Sequence, residues 1–363
     1  MSIDVFQYKT GLYLIAFLLQ YHVALAQKPI TIGHQYQISS QILDEEREIW
    51  ISLPDSYEDS IYSQKNYPVC YFFDGNLHFE NLVAQTNRLS SGLYAEMPEV
   101  ILVGIIQKDR TQELTPTAMA TPEEWKRADF SSSGGNLQFM EFVEQELKAW
   151  VNQEFRTNGY EILIGHSFGG LAVANALITH PERFDAYVPI DASMWWDSEK
   201  LLSSIDSLWN PLKYEGKTLF LAKANDSGSG EDHHNALFKF RDEFNRLQPG
   251  SPLRYRYTFY EKEGHGSVVV PAEYEALRFI FEGYEMPVKQ VMKDPSLLDG
   301  HYEEVSKRLG YRVLPDEKMI DDLAKVCERQ ELNEQAKELL RRNTVYYPQS
   351  KHAKKRYLNF EDK

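Results

Sequence analysis

The chain has 363 residues, with 54 acidic side chains against 39 lysines and arginines, for a net charge of −15. That length suffices for one large α/β domain plus a further module. The acidity excludes nucleic acid or an anionic membrane surface as the main partner, and a strongly anionic ligand would need a local basic pocket.

Residues 1–26 read as a secretory signal peptide. Lys9 supplies the positive start, Gly11 to Leu19 is apolar, and Ala24-Leu25-Ala26 is a small-residue cleavage site before Gln27. The apolar run is too short for a membrane span. The expectation is a secreted or periplasmic protein with no stable membrane insertion after cleavage; an uncleaved N-terminal anchor is the alternative. Two β-rich stretches follow, Ile30 to Ile42 and Arg47 to Leu53, then a polar loop from Pro54 to Asn66. Val69 to Phe73 and Val100 to Ile106 read as buried strands on either side of a helix over Phe79 to Leu89. Cys70 lies in the first of these strands and reads as a buried thiol. The segment from Gln107 to Gly134 has no strong period and reads as a long loop.

From Asn136 to Phe155 the positions Leu137, Phe139, Met140, Phe142, Val143, Leu147 and Trp150 recur at helical spacing. Beyond residue 160, strands are expected at Ala186 to Ile190, Thr218 to Ala222 and Tyr255 to Tyr260. Helices are expected at Asp197 to Leu208, Asp232 to Leu247 and Ala272 to Phe281. Buried strands alternating with amphipathic helices indicate a mostly parallel central sheet with helices on both faces. Past Glu285 the chain turns charged and helical. There Ile320, Leu323, Ala324, Cys327, Ala336, Leu340 and Pro348 fall at the spacings of one tetratricopeptide unit. A plain amphipathic tail is the other reading. The expected organisation is a signal peptide (1–26), a large α/β domain (27–285) and a small C-terminal helical module (286–363). One helix pair cannot bury its apolar face alone, so it should dock on the domain or on another protein.

The chemistry centres on Gly165-His166-Ser167-Phe168-Gly169, where an apolar strand from Glu161 runs through a G-x-S-x-G turn into the apolar helix from Leu171. Strand, strained turn and helix in that order expose a serine hydroxyl at the sheet edge. Such a nucleophile needs a base and an orienting acid, which follow it in the order acid, then histidine. Asp226, after the strand from Thr218, and His265, in Gly264-His265-Gly266-Ser267, meet that order. Glu231 and Asp232 stand close to Asp226, and a Ser–His dyad is a further alternative. His166 should lie beside the nucleophile, and His233 and His234 read as solvated. Backbone N–H groups of Phe168 and of Gly75 or Asn76 should form the oxyanion hole. Arg110, Trp195 and Trp196 are candidate substrate contacts; the alternatives are a solvated loop charge for Arg110 and core packing for the tryptophans. No Cys, His and carboxylate spacing suggests a metal site, no phosphate loop is present, and no cofactor is expected.

Residues 40 to 284 resemble the putative-esterase family of α/β-hydrolases, which includes siderophore esterases, S-formylglutathione hydrolases and feruloyl esterases. The resemblance rests on Tyr67-Pro68-Val69 through Phe73-Asp74-Gly75-Asn76, on Val103-Gly104-Ile105 and on Arg110 with Leu114-Thr115-Pro116. It rests also on Gly134-Gly135, on the Ser167 turn, on Ser193-Met194-Trp195-Trp196 and on Gly264-His265-Gly266-Ser267. Glu113 stands where the family often has Asp, and Asp191 where Ser is frequent. The resemblance implies an α/β-hydrolase fold and a serine esterase acting through an acyl-enzyme on a siderophore, carbohydrate or aryl ester. The alternative is a catalytically inert binding or scaffold protein that works through its C-terminal helices.

Overall fold

A computed structural model describes residues 29–120, 129–225 and 230–361 of the chain. The signal-peptide reading of residues 1–26 lies outside the described residues, as does Asp226. By internal contacts the chain divides at His34 into two units, residues 1–34 and residues 35–363. In the larger unit the sheet is built from β2 (Glu45–Ser52), β3 (Tyr67–Phe72), β4 (Ile101–Ile105), β5 (Thr157–His166), β6 (Ala186–Ile190), β7 (Thr218–Ala224) and β8 (Arg254–Tyr260), after a first strand β1 (His34–Ser40). The strand order is β1-β2-β4-β3-β5-β6-β7-β8. β2 runs antiparallel to β4, while β4, β3, β5, β6, β7 and β8 run parallel to one another. This is the mostly parallel sheet that the sequence pattern implies.

Alternate residues of each inner strand enter two different cores, as the period of two requires. Cys70, Phe72, Leu102, Ile162, Ile164, Val188 and Phe220 point into one. Val69, Tyr71, Phe73, Val103, Leu163, Tyr187, Leu219 and Leu221 point into the other. The first core is covered by α1 (Gly75–Leu89) through Phe79 and Leu82, and by Ala272, Ala276 and Leu277 of a late helix, Val269–Ile280. The second is covered by the stretch from Asn136 to Glu154, by the helix Phe168–Thr179 and by Leu237 and Phe240 of the helix Glu231–Leu247. Cys70 and Cys327 are both buried, free thiols. Among the described residues, no helix is long and apolar enough to cross a membrane.

Two local features differ from the sequence reading. The Gln107 to Gly134 stretch is not all loop: α2 (Arg110–Leu114) forms there, with Asp109 accepting a hydrogen bond from Gln112 N at 3.0 Å as its cap. Five residues are too few to display a helical period. The helix expected across Asn136 to Phe155 is interrupted. α3 (Asn136–Phe142) passes into a π turn (Val143–Leu147) before α4 (Lys148–Glu154). From that turn Glu146 accepts hydrogen bonds from Ser40 Oγ, Gln41 N and Ile42 N, which ties the helix to the turn after β1.

The remaining helices of the sheet domain are α5 (Phe168–Thr179), α6 (Trp196–Leu208), α7 (Glu231–Leu247) and α8 (Val269–Ile280). The C-terminal region then supplies α9 (Val288–Val291), α10 (Leu297–Leu309), α11 (Glu317–Arg329), α12 (Asn333–Tyr346) and α13 (Lys351–Glu361). These helices share the first core with the sheet: Leu298, Tyr302, Val305, Ile320, Leu323, Ala324, Cys327, Ala336 and Leu340 are buried in it together with β-strand residues. The ring of Tyr160 on β5 lies 5.1 Å from that of Tyr311. Polar contacts reinforce the seam. Glu317 accepts from Ser63 N at 2.7 Å, and the buried Asp321 carboxylate accepts from Tyr62 Oη at 3.1 Å and Arg356 Nε at 2.6 Å. Removing residues 286–363 therefore opens the core instead of detaching a free module. The truncated chain should lose its cooperative thermal transition and its solubility; a sharp transition near that of the full chain would contradict this packing.

Candidate active site

Ser167 closes β5 and opens α5 with φ 59° and ψ −116°. A non-glycine residue rarely adopts such a conformation, and it persists only where the surroundings enforce it. The enforcement is close packing. A Cβ on Gly165 would lie 2.4 Å from the backbone carbonyl of Gly169, and one on Gly170 would lie 3.0 Å from Ala192 Cα. The glycines let the helix return across its own strand, and the half-buried serine is left at the carboxyl edge of the sheet.

β6 ends in register with β5: Ile190 pairs with His166. The residue that follows β6 is Asp191, so it sits beside Ser167 at the same sheet edge. Its φ is 40°, a second strained turn at the end of an adjacent strand. The Asp191 backbone N donates to Ala222 O at 2.9 Å, and Oδ1 accepts from Ala224 N at 3.0 Å. Oδ2 lies 2.6 Å from His265 Nδ1. The buried carboxylate thus meets the histidine chosen from the sequence. The loop after β8 carries that histidine over the edge, and its ring centroid lies 4.5 Å from that of His166, the neighbour of Ser167. Burial disfavours the Asp191 charge, but His233, His265 and the Ala224 N–H outweigh it and hold the acid well below the usual carboxylate range.

Sequence order favours Asp226 as the acid, but the carboxylate found on His265 is Asp191. The sequence held a signal for it, an aspartate closing the apolar strand Ala186-Tyr187-Val188-Pro189-Ile190 just before the Ser193 segment. What it could not supply was the register that sets this strand beside β5. His233 is a correction. Expected to be solvated, it is 3 % exposed, and its Nε2 lies 3.2 Å from Asp191 Oδ2 without the alignment of a hydrogen bond. The expectation of no metal-ligand set was drawn from spacing alone. Among the described residues, the structure brings Asp191, His233 and His265 together with ligand atoms within 4.8 Å of one another. Ser193 Oγ, 3.3 Å from Ser167 Oγ, also joins the site.

The turn after β3 borders the elbow. A Cβ on Gly169 would lie 3.4 Å from Phe73 Cβ and 3.5 Å from Asp74 Oδ2. Asp74 has φ 53° and starts α1, whose first N–H groups belong to Gly75 and the exposed Asn76. A helix leaves its first N–H groups without intrahelical acceptors, as it does for Phe168 in α5. A Cβ on Gly75 would meet the Gly104 backbone at 2.7 Å, so only glycine allows this approach. Arg110 is not a free charge. Its Nε and Nη2 bind Asp74 at 2.8 and 3.0 Å, and Nη2 also donates to His166 O at 3.1 Å. It neutralises a carboxylate that would repel an oxyanion, and it ties the α1 turn to the elbow. Glu113, in the same short helix, is held by the buried Arg47 through two 2.8 Å hydrogen bonds.

Trp196 is core, with its Nε1 donating to Thr117 O at 3.0 Å and its ring 5.1 Å from those of Phe168 and Phe130. Trp195 is half-buried and lies 6.3 Å from Phe168. The pair therefore divides: one ring supports an aromatic wall next to Ser167, and the other is partly exposed on it. On the other side His166 Nε2 lies 2.8 Å from His265 O. Burial, reinforced by His265 and His78, pushes the His166 pKa down to about 3.

The strand order, the strained serine turn and the buried acid on a loop histidine together define an α/β-hydrolase. The profile of the family described as Putative esterase matches residues 40–233, more than half of the chain, and the chain belongs to that family. It is a carboxylic ester hydrolase. Among curated relatives, it is 27% identical over 233 residues to the ferri-bacillibactin esterase BesA of Bacillus subtilis, covering 59% of this chain and 78% of the relative. It is 29% identical over 160 residues to a siderophore triacetylfusarinine C esterase of Aspergillus fumigatus, covering 41% of this chain and 52% of the relative. Among solved structures, an IroE-like serine hydrolase from Shewanella oneidensis superposes with a TM-score of 0.75 at 29% identity, over 86% of this chain and 99% of that one.

Two outcomes follow from the geometry. Because Arg110 holds the α1 turn through Asp74, Arg110→Ala should lower kcat on a neutral ester at least ~10-fold with little change in KM; a pure KM effect would mark it as a substrate contact. Unfolded histidine titrates near 6.5. His166, depressed to about 3 in the fold, stays unprotonated where the unfolded chain takes up a proton. Its contribution to stability is therefore complete above about pH 6.5 and drains away as the pH falls towards 3. Between about pH 6.5 and about pH 5, the wild-type Tm should fall roughly 2–4 °C further than that of His166→Gln; parallel curves would contradict the assignment.

Proposed function

We propose that this enzyme cleaves its ester by serine catalysis with Ser167 as nucleophile, His265 as base and Asp191 as the orienting acid. The observation that carries the reading is the 2.6 Å Asp191–His265 contact at the end of the strand next to the one that ends in Ser167. Ser167 Oγ attacks the ester carbonyl while His265 Nε2 takes its proton. The negative oxygen is held by the N–H of Phe168 and an N–H of Gly75 or Asn76. His265 then protonates the departing alcohol and activates the water that releases the acyl group. Asp191 keeps the Nδ1 proton in place and stabilises the imidazolium.

The substrate is an ester of a siderophore. The relatives that act on ferri-bacillibactin and triacetylfusarinine C support this, together with the wall of Phe168 and Trp195, which offers aromatic faces beside the serine. Arg110, engaged by Asp74, lends no support to anion binding. The N-terminal Lys9, apolar run and Ala24-Leu25-Ala26 site support export from the cytoplasm. The spacing of Ile320 to Pro348 supports a tetratricopeptide-like tail with an outer face for a protein partner.

Ser167→Ala should abolish both hydrolysis and labelling by a fluorophosphonate. Asp191→Asn should lower kcat by roughly 10³–10⁴, whereas Asp226→Asn should stay within about threefold of wild type. The reverse result for the two aspartates would overturn the assignment of the acid. In a side-by-side assay, kcat/KM for a catecholate-siderophore ester should exceed that for feruloyl and acetyl-sugar esters. A preference for either of the latter would redirect the substrate to plant or algal polysaccharide.

A further inference from the structure

We propose that Asp191, His233 and His265 also form a binding site for a borderline divalent transition-metal ion of the zinc type, and that its occupation withdraws His265 from catalysis.

A serine triad needs only one histidine, yet a second, His233, is buried against the same carboxylate. It opens α7, it is 3 % exposed, and its Nε2 is buried without a hydrogen bond while lying 3.2 Å from Asp191 Oδ2. A buried ring nitrogen in that state is costly unless it has some use. The third donor, His265 Nδ1, reaches the same carboxylate oxygen from another element, with its ring edge-on to that of His233 at 5.1 Å. All three ligand atoms lie within 4.8 Å of one another.

Zinc binds imidazole nitrogen and carboxylate oxygen at about 2.0–2.2 Å, so neighbouring ligands in a tetrahedral site stand roughly 3.3 Å apart. The His233–Asp191 separation of 3.2 Å already fits. The His265–Asp191 contact of 2.6 Å must open by less than about 1 Å, and the part-exposed loop around His265 can supply that movement. The carboxylate is oriented for the task, because Ala224 N holds Oδ1 and leaves Oδ2 facing both rings. His265 is 28 % exposed, so its side of the site is open to an arriving ion and to a water in the fourth position. Two imidazoles and one carboxylate favour zinc-type ions over magnesium or calcium, which prefer all-oxygen sites.

Occupation and catalysis exclude each other by proton bookkeeping. A neutral imidazole that binds the metal through Nδ1 carries its proton on Nε2. That nitrogen then has no lone pair to receive the proton of Ser167. With both imidazoles neutral, no proton is released overall: His265 carries its proton on Nε2 and His233 on Nδ1, and Asp191 passes from the Nδ1 proton of His265 to the metal.

The inhibition rests on the serine mechanism proposed above, whereas the binding does not. The primary test therefore uses the Ser167→Ala protein, titrated calorimetrically with Zn²⁺ alone near neutral pH. One ion should bind per chain at micromolar or tighter Kd, and Mg²⁺ should not bind. Adding His233→Ala or His265→Ala should weaken binding at least ~10-fold, while adding His180→Ala, a surface histidine paired with Glu182, should leave it unchanged. Circular dichroism reports whether each variant folds, and His265→Ala decides if His233→Ala does not. The wild-type esterase should be inhibited by Zn²⁺ at the concentrations that titrate the site, and a chelator should restore it. Absence of stoichiometric binding, or binding untouched by both histidine substitutions, would overturn the site. Saturation of the site with full activity would overturn the inhibition. An enzyme without serine esterase activity would refute the mechanism above while leaving the binding result intact.

Discussion

Everything at the sheet edge depends on a backbone that turns back on itself within van der Waals contact. β5 ends, Ser167 takes up a positive φ, and α5 returns so close that Gly165 and Gly169 could not both be spared a clash if the former carried a Cβ. The strain at one residue is stored against the packing of a whole helix, Leu171 to Ile178, which is buried on nearly every side. Without that buried helix the turn would relax, and the hydroxyl would lose its position relative to everything around it.

A second turn of the same kind ends β6, and the two act together because parallel strands keep register. Ile190 opposite His166 places Asp191 next to Ser167, although 23 residues of helix, turn and strand lie between them along the chain. The Asp191 carboxylate therefore reaches His265 from the strand beside the one that ends in Ser167, and the loop after β8 carries the histidine to it. Burial of Asp191 makes its charge expensive in isolation; two imidazoles and one N–H are what keep it ionised. Arg110 does the corresponding work on the other flank, where it neutralises Asp74 and ties the α1 turn to the backbone of His166.

The sheet itself was legible because buried parallel strands are short apolar runs between amphipathic helices, and nearly all of them fall where those runs lie. Ser167 and His265 stood out as candidates for a related reason, since a strand-turn-helix with glycines and a glycine-flanked histidine are local patterns. Asp191 and His233 did not, because the value of each depends on a neighbour brought by the sheet; the place of Asp191 at the end of an apolar strand has no meaning without the register. Arg110 and the two tryptophans lay between these cases. Their residue types pointed to the site, but only packing separates a charge engaged by Asp74 from a free one, or Trp196 in the core from Trp195 at the surface. The short helix from Arg110 escaped notice because one turn and a half has no period to detect.

The sequence by itself determined the α/β layering, the turn at Ser167 and the chain order of that serine and His265, since these follow from hydrophobic period and turn chemistry within a few residues. Tertiary structure alone decided which acid meets His265, what Arg110 binds, that His233 is buried, and that the C-terminal helices close the same core as the sheet. Those outcomes depend on strand register and on which faces pack together. Both are set by the burial of the whole chain, and no window of neighbouring residues contains them.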